Sequence, residues 1–294
     1  SFKGNPINKT EIIAKSGFPM LHVVGETDVV VPIAENTLPF QKRIKEEGGQ
    51  IETIIKPNNG HHPHSLKNPT PIVDFILRAT DQKINFAEIP IPSAEYRSGA
   101  GWTDGTGWWA QAHDIDSICR SNPSTDLLLI GNSITQGWGN RPHITMGPGK
   151  EAADQSFKGI KWINAGISGD RTGQILYRLL HGQYEACNPK TIVLTIGVNN
   201  FNDNDSASEI AEGISQIVRV LKKKFSKDTK ILLFGPLPTG FESNSERRIK
   251  YDEIHRQIKV LGNQENVTYL NMLPFLSENN GSLNPNYYSN DGIH

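Results

Sequence analysis

The chain has only two cysteines, Cys119 and Cys187, among 294 residues. That excludes a disulfide scaffold and a Cys-rich zinc site, and leaves room for a single optional bridge. No charge of one sign dominates: 30 Lys and Arg stand against 31 Asp and Glu, a net charge of −1. Nucleic-acid backbones bind a Lys/Arg surplus gathered on one face, so no nucleic-acid partner is expected. No apolar run approaches the roughly 18 residues of a membrane-spanning helix, so no membrane span is expected. The chain opens on Ser1-Phe2-Lys3-Gly4-Asn5, without Met or a signal peptide, and closes on Asp291-Gly292-Ile293-His294. Both ends read as cut. The expectation is a piece of a longer chain, in which the missing signal carries no weight.

What is present is enough to fold. Hydrophobic residues make up 36% and charged residues 21%, a balance that buries a core. The length allows one large domain or two small ones.

Residues 1–80 form a first zone. Met20 to Val24 reads as a buried strand between Pro19 and Gly25. Ile33 to Glu47 reads as a helix stopped by Gly48-Gly49. Ile51 to Lys56 is a second strand, and Pro71 to Arg78 a helix with Pro in its opening turn. Strand, helix, strand, helix is a piece of a parallel α/β layer. Residues 81–107 read as a connector, with Pro90, Pro92, Gly99, Gly101, Gly105 and Gly107 and no apolar periodicity. Trp102, Trp108 and Trp109 at its end either stack on a sugar or pack the connector against a domain. Packing is the favoured reading, because large aromatics mostly serve burial.

Residues 108–294 form the third zone. Strands are expected at Leu127–Ile130, Lys161–Ala165, Ile192–Ile196, Ile231–Phe234 and Val267–Asn271, with helical patterns between them. Ser206 to Phe225 carries Ile210, Ile214, Ile217, Val218, Leu221 and Phe225 on one face, and Ser206 with Glu209 spells a capping box. Five βα repeats imply a three-layer α/β/α fold around a parallel five-stranded sheet. Such sheets place their sites at the carboxyl ends of strands.

The residues with chemistry fall just there. Gly131-Asn132-Ser133 follows the first strand, and a Ser on a sharp strand-to-helix turn projects its hydroxyl beside free N–H groups. Gly169, in Gly166-Ile167-Ser168-Gly169, can bring a bare N–H against a ligand. Asn199, in Gly197-Val198-Asn199-Asn200, offers a neutral donor to a developing oxyanion, or closes an ordinary Asx-turn. Asp291 and His294, three residues apart, can meet in a compact turn that fixes the His tautomer.

Taken together, these four blocks resemble the SGNH (GDSL-type) hydrolase superfamily over about the last 185 residues. The resemblance implies a flavodoxin-like SGNH fold. It also implies Ser133 as nucleophile, His294 as general base and Asp291 as its orienting acid. The Ser133 N–H, the Gly169 N–H and the Asn199 side chain would form the oxyanion hole. The stretch Gly166 to Leu180, with Gly197-Val198-Asn199-Asn200, is most similar to the branch holding platelet-activating-factor acetylhydrolase catalytic subunits and bacterial carbohydrate acetylesterases. The first block commonly reads Gly-Asp-Ser, where Asn132 stands here, and the third commonly ends in Asp, where Asn200 stands. Neither Asp is a triad member, so activity is expected to survive. Members also continue past the His into a closing helix. Without it, exposed core or a loosened His294 is expected.

The first zone resembles the C-terminal piece of an α/β-hydrolase. Asp28 follows one strand as the triad acid does, and His61 follows the next as the triad His does. His62 and His64 are weaker matches. No Gly-x-Ser-x-Gly precedes Asp28, so this second triad is incomplete and the zone is expected to be inert alone. A metal at His61, His62 and His64 is not expected, because structural zinc takes four ligands and commonly includes Cys. His22, His113, His143, His181 and His255 have no acid or Cys at motif spacing. Of these, His113, His181 and His255 are expected at the surface or half-buried.

The leading expectation is a serine esterase without cofactor. The resemblance implies a carbohydrate O-acetylesterase acting on acetylated poly- or oligosaccharide, and with it an exported protein. The alternatives are a lipid, phospholipid or thioester hydrolase, or a non-catalytic carbohydrate-binding fragment.

Overall fold

Alternation of apolar runs and helical stripes produces two separate α/β layers. The computed structural model describes residues 6–80, 85–93, 103–182, 184–203 and 205–294. The chain divides into two units, Ser1–Ile84 and Asn85–His294.

In the first unit, α1 (Thr10–Lys15), β1 (Met20–Gly25), α2 (Thr37–Glu46), β2 (Ile51–Lys56) and α3 (Thr70–Ala79) follow one another. β1 and β2 pair in parallel, with Met20 opposite Ile51 and Gly25 opposite Lys56. A small core of Ala14, Ile44 and Ile51 is extended by Ile13, Met20 and Phe40. The helix α2 starts at Thr37 and not at Ile33. Asn36 turns back to bond the Pro32 carbonyl through both its backbone N–H and its side-chain amide, which makes 33–36 a turn.

The second unit holds α4 (Trp108–Ser121), β3 (Leu127–Gly131), α5 (Ser133–Gln136), α6 (Lys150–Ser156), β4 (Trp162–Gly166), α7 (Thr172–His181), β5 (Thr191–Thr195), α8 (Ala207–Lys224), β6 (Lys230–Leu233), α9 (Glu246–Ile258), β7 (Val267–Tyr269) and α10 (Leu273–Leu276). Its sheet has five strands in the order β4-β3-β5-β6-β7, all parallel. This is the flavodoxin-like doubly wound order, whose switch point lies between the first strand and its two neighbours. Leu128, Leu129 and Ile130 are buried in succession, as a strand covered on both faces requires. The core draws Ile115 and Cys119 from α4, Ile175 and Leu179 from α7, and Ile254 and Ile258 from α9.

The α8 stripe is realised as read. Ile210, Ile214, Ile217 and Val218 are fully buried and Leu221 nearly so, each contributing about 1.5–3 kcal/mol. Both arms of the capping box form: Ser206 Oγ accepts the Glu209 N–H at 3.2 Å, and Glu209 Oε2 accepts the Ser206 N–H at 2.7 Å. β7 stops at Tyr269, short of Asn271. The Asn271 carboxamide instead accepts the Leu273 N–H at 2.9 Å and the Tyr251 hydroxyl at 2.8 Å, which starts α10.

Residues 85–93 of the connector lie along α7 and α8. Asn85 donates to the Glu209 carbonyl, and Ile91 to the Gly173 carbonyl. A Cβ on Gly213 would sit 2.5 Å from the Ala87 carbonyl oxygen, so the strap needs glycine at that position. Gly99, Gly101 and Trp102 lie outside the described residues. Trp108 is buried, whereas Trp109 is half exposed with its ring edge against Tyr177. Cys119 and Cys187 are buried free thiols. No helix among the described residues is long and apolar enough to cross a membrane.

Candidate active site

The carboxyl ends of β3, β4 and β5 bring three loops together at the switch point. Gly131 ends β3 where a Cβ would fall 2.0 Å from Thr135 Oγ1 and 2.5 Å from the Thr195 carbonyl oxygen. Only glycine allows α5 to turn back so tightly against β5. Asn132 caps α5, its Oδ1 accepting the Ile134 N–H at 3.1 Å. Ser133 is therefore the first residue of the helix, with its N–H at the positive end.

Ser133 Oγ–H donates to His294 Nε2 at 2.8 Å across 161 residues of sequence. His294 Nδ1–H donates to Asp291 Oδ2 at 2.6 Å. The carboxylate defines the tautomer, since it can only accept. Asp291 Oδ1 also accepts the Ser289 hydroxyl at 2.7 Å, the Ile293 N–H at 2.8 Å and the His294 N–H at 2.9 Å. Burial works against the charge on Asp291. The His294 N–H, the Ser289 hydroxyl, the His294 ring and the Ile293 N–H outweigh it and hold the carboxyl far below the usual carboxylate range.

The turn that carries this pair is tied down by the loop after β6. The Gly292 carbonyl accepts from the Thr239 hydroxyl and the Gly240 N–H, each at 3.1 Å. Arg247 Nε donates to the same Thr239 oxygen at 3.1 Å, and its guanidinium lies over the Phe201 ring.

Gly169 has φ of +81°, a left-handed conformation natural to glycine. Neither its N–H nor that of Ser133 meets an acceptor among the described residues. Asn199 donates one side-chain N–H to the Asp170 carbonyl at 2.9 Å, which leaves its second N–H available. Asn200 does not point the same way. It accepts the Thr172 N–H at 3.1 Å and donates to the Thr172 hydroxyl at 3.0 Å, joining the third loop to α7.

Several buried polar residues around the site escaped the sequence reading. Asp170 pairs with Arg178 at 2.7 Å and takes the Trp108 indole N–H at 2.7 Å. Arg141 donates to the Asn164 and Gly166 carbonyls, and Gln136 Oε1 accepts the Ser168 N–H at 2.7 Å. The one available signal was Asn164, a polar residue inside an otherwise apolar strand.

One histidine expectation is corrected. His255 is buried, not half-exposed. Its Nε2–H donates to the Pro236 carbonyl at 2.9 Å, and Nδ1 accepts the Tyr269 hydroxyl at 2.7 Å. Burial pushes its pKa down to about 4. His143, with no acid at motif spacing, meets acids from farther along the chain: Asp104 at 2.6 Å and Asp114 at 3.4 Å. Hydrogen bonding to Asp104 raises its pKa.

In the first unit, Asp28 Oδ2 lies 3.0 Å from His61 Nδ1, just past β1 and β2 respectively. Asp28 Oδ1 accepts the Val30 and Val31 N–H groups, each at 2.9 Å. The Val31 N–H is the main reason its pKa is lowered. His62 and His64 crowd the same loop as His61.

A model of the GDSL-like Lipase/Acylhydrolase family matches residues 129–294. Among curated proteins, the chain is 31% identical to platelet-activating factor acetylhydrolase IB subunit alpha2 of Gallus gallus over 141 residues, 48% of this chain and 56% of that one. It is 30% identical to the Homo sapiens subunit alpha2 over 152 residues, 52% of this chain and 61% of the relative. The match thus spans less than two thirds of these relatives. Similar solved structures include a GDSL-like lipase from Bacteroides thetaiotaomicron, at TM-score 0.49 and 20% identity, covering 63% of this chain and 89% of the other. An acetylxylan esterase from Geobacillus stearothermophilus aligns at TM-score 0.48 and 21% identity, covering 58% and 86%.

Proposed function

Because the chain belongs to the GDSL-like lipase/acylhydrolase family, we propose that it is a serine ester hydrolase worked by Ser133, His294 and Asp291. The observation that carries this reading is the unbroken hydrogen-bonded chain from the Ser133 hydroxyl through both ring nitrogens of His294 to Asp291. Ser133 attacks the acyl carbon while His294 Nε2 takes its proton, and Asp291 stabilises the imidazolium that results. The carbonyl oxygen becomes an anion at the N-terminus of α5. There the Ser133 N–H, the Gly169 N–H and the second N–H of Asn199 are the donors for it. His294 then returns the proton to the leaving alcohol, and water repeats the sequence to release the acid.

We infer an acetyl ester as substrate and a carbohydrate as its alcohol. The acetyl group accords with the name of the curated relatives, and the carbohydrate with the likeness of the second and third blocks to bacterial carbohydrate acetylesterases. The second reading, a 2-acetyl phospholipid, is favoured by those same curated relatives. Hydrolysis of p-nitrophenyl acetate by the chain and by Ser133→Ala tests the reaction. A drop of about 10³-fold or more is expected, and equal rates would end the proposal. Acetate release from acetylated xylo-oligosaccharide against a 2-acetyl phospholipid decides between the alcohols.

We read residues 1–80 as the C-terminal part of an α/β-hydrolase domain. The support is Asp28 and His61, hydrogen-bonded past successive parallel strands. They are an acid and a base whose nucleophile would come from outside this zone.

A further inference from the structure

An acid–base pair uses His61 alone and leaves His62 and His64 without a task, yet all three converge. One ring nitrogen from each histidine lies within 4.8 Å of the others. The ring centroids are 4.2–5.0 Å apart. We propose that His61, His62 and His64 bind a divalent late-transition metal of the Zn²⁺ type, with Asp28 as the carboxylate that orients His61.

The donor set fits that class of ion. Imidazole nitrogen suits Zn²⁺, Ni²⁺ and Cu²⁺, whereas Mg²⁺ and Ca²⁺ want oxygen. Three imidazoles with a solvent-facing remainder make an open site, for which cysteine is not needed. The missing cysteine that counts against a closed four-ligand zinc site therefore does not count against this one.

The surroundings supply the supporting contacts that metal-binding histidines have. His61 Nδ1 is engaged by Asp28, which fixes the ring and leaves Nε2 as its ligand atom; this is the nitrogen a triad base would use, so a bound ion and action as a base exclude one another at His61. Asp28 is itself held by the Val30 and Val31 N–H groups, and only 10% of its side chain is exposed. The Lys56 amine donates to the Pro63 carbonyl, anchoring the loop between His62 and His64. At His64 the Lys56 charge acts against a bound cation and the Asp28 charge in favour of it. Bound nitrogens in a tetrahedral site are about 3.3 Å apart, from Zn–N bonds of about 2.0–2.1 Å. Side-chain rotation of the two exposed histidines closes that gap.

Isothermal titration of the intact chain with ZnCl₂ tests the proposal. Saturable binding of one ion per chain is expected. Affinity should fall at least about 10-fold in His62→Ala and in His64→Ala, and about 10- to 100-fold in Asp28→Asn. His143→Ala, which removes another acid-paired histidine, should bind as wild type does. Ser133→Ala should also bind unchanged, which separates this site from the esterase reading. The exposed positions of His62 and His64 make both variants safe to fold. No saturable heat up to about 1 mM ZnCl₂, or undiminished binding in the His62→Ala/His64→Ala double variant, overturns it.

Discussion

Asn199 donates a side-chain N–H to the backbone carbonyl of Asp170 at 2.9 Å, and Asp170 is itself anchored through its carboxylate in a buried pair with Arg178. The amide assigned to the oxyanion is thus aimed by a residue that cannot easily move. Asn199→Ala should lower kcat for p-nitrophenyl acetate by about 10²- to 10³-fold with little change in KM, because the donor acts on charge that exists only in the transition state. Steady-state kinetics check this, and a change confined to KM would place Asn199 outside the oxyanion site.

The same anchor predicts a stability effect. Asp170 and Arg178 are almost fully buried, and Trp108 Nε1 closes the remaining carboxylate oxygen. Asp170→Asn keeps the shape but leaves Arg178 as an uncompensated buried charge. A loss of about 3–5 kcal/mol is expected in urea unfolding. A loss below about 1 kcal/mol would mean that the pair does not hold this loop.

Asp291→Asn should retain the fold and lose about 10⁴-fold in kcat, because an amide in that place no longer enforces the Nδ1–H tautomer. The Asp291 carboxyl is held far below its ordinary range, so it stays ionised throughout pH 5 to 8. The wild-type rate should show no step from this carboxyl in that window. A pH–rate profile of wild type and variant tests both statements.

His255 sets an acid limit on stability. Its folded pKa of about 4 lies below the ordinary 6.5, so between those values the unfolded state binds the proton. Stability is then complete above pH 6.5 and declines as pH falls toward 4. About 2 kcal/mol should be lost from this residue between pH 7 and pH 5. Urea midpoints at the two pH values should differ less in His255→Gln than in wild type, and equal differences would refute the assignment.

The sheet strands were legible because each is a short apolar run between turn residues, and α8 because its buried positions recur at helical spacing. Three of the four loop blocks were legible because each follows a strand, where a parallel sheet must expose its chemistry, and the fourth because Asp291 and His294 stand three residues apart in one turn. Asp170 was not. Its partners Trp108 and Arg178 are 62 and 8 residues away, and no pattern marks a charge that will be buried. The burial of His255 and the acid partner of His143 were hidden for the same reason. Neither Tyr269, 14 residues beyond His255, nor Asp104, 39 residues before His143, stands at a spacing that signals contact.

By itself, the sequence determined the class of layers, the order of the strands along the chain and the short turn that joins Asp291 to His294. These depend on period and on neighbours within a few residues. Only the tertiary structure decided that Ser133 meets His294 and that Asn199 leans on Asp170. The first requires the loop after β6, which holds the Gly292 turn, to reach the end of β3, and the second requires β4 and β5 to flank β3 in the order β4-β3-β5-β6-β7. That order comes from how the crossover helices bury their apolar faces on the two sides of the sheet, a property of the whole packed chain that no local stretch contains.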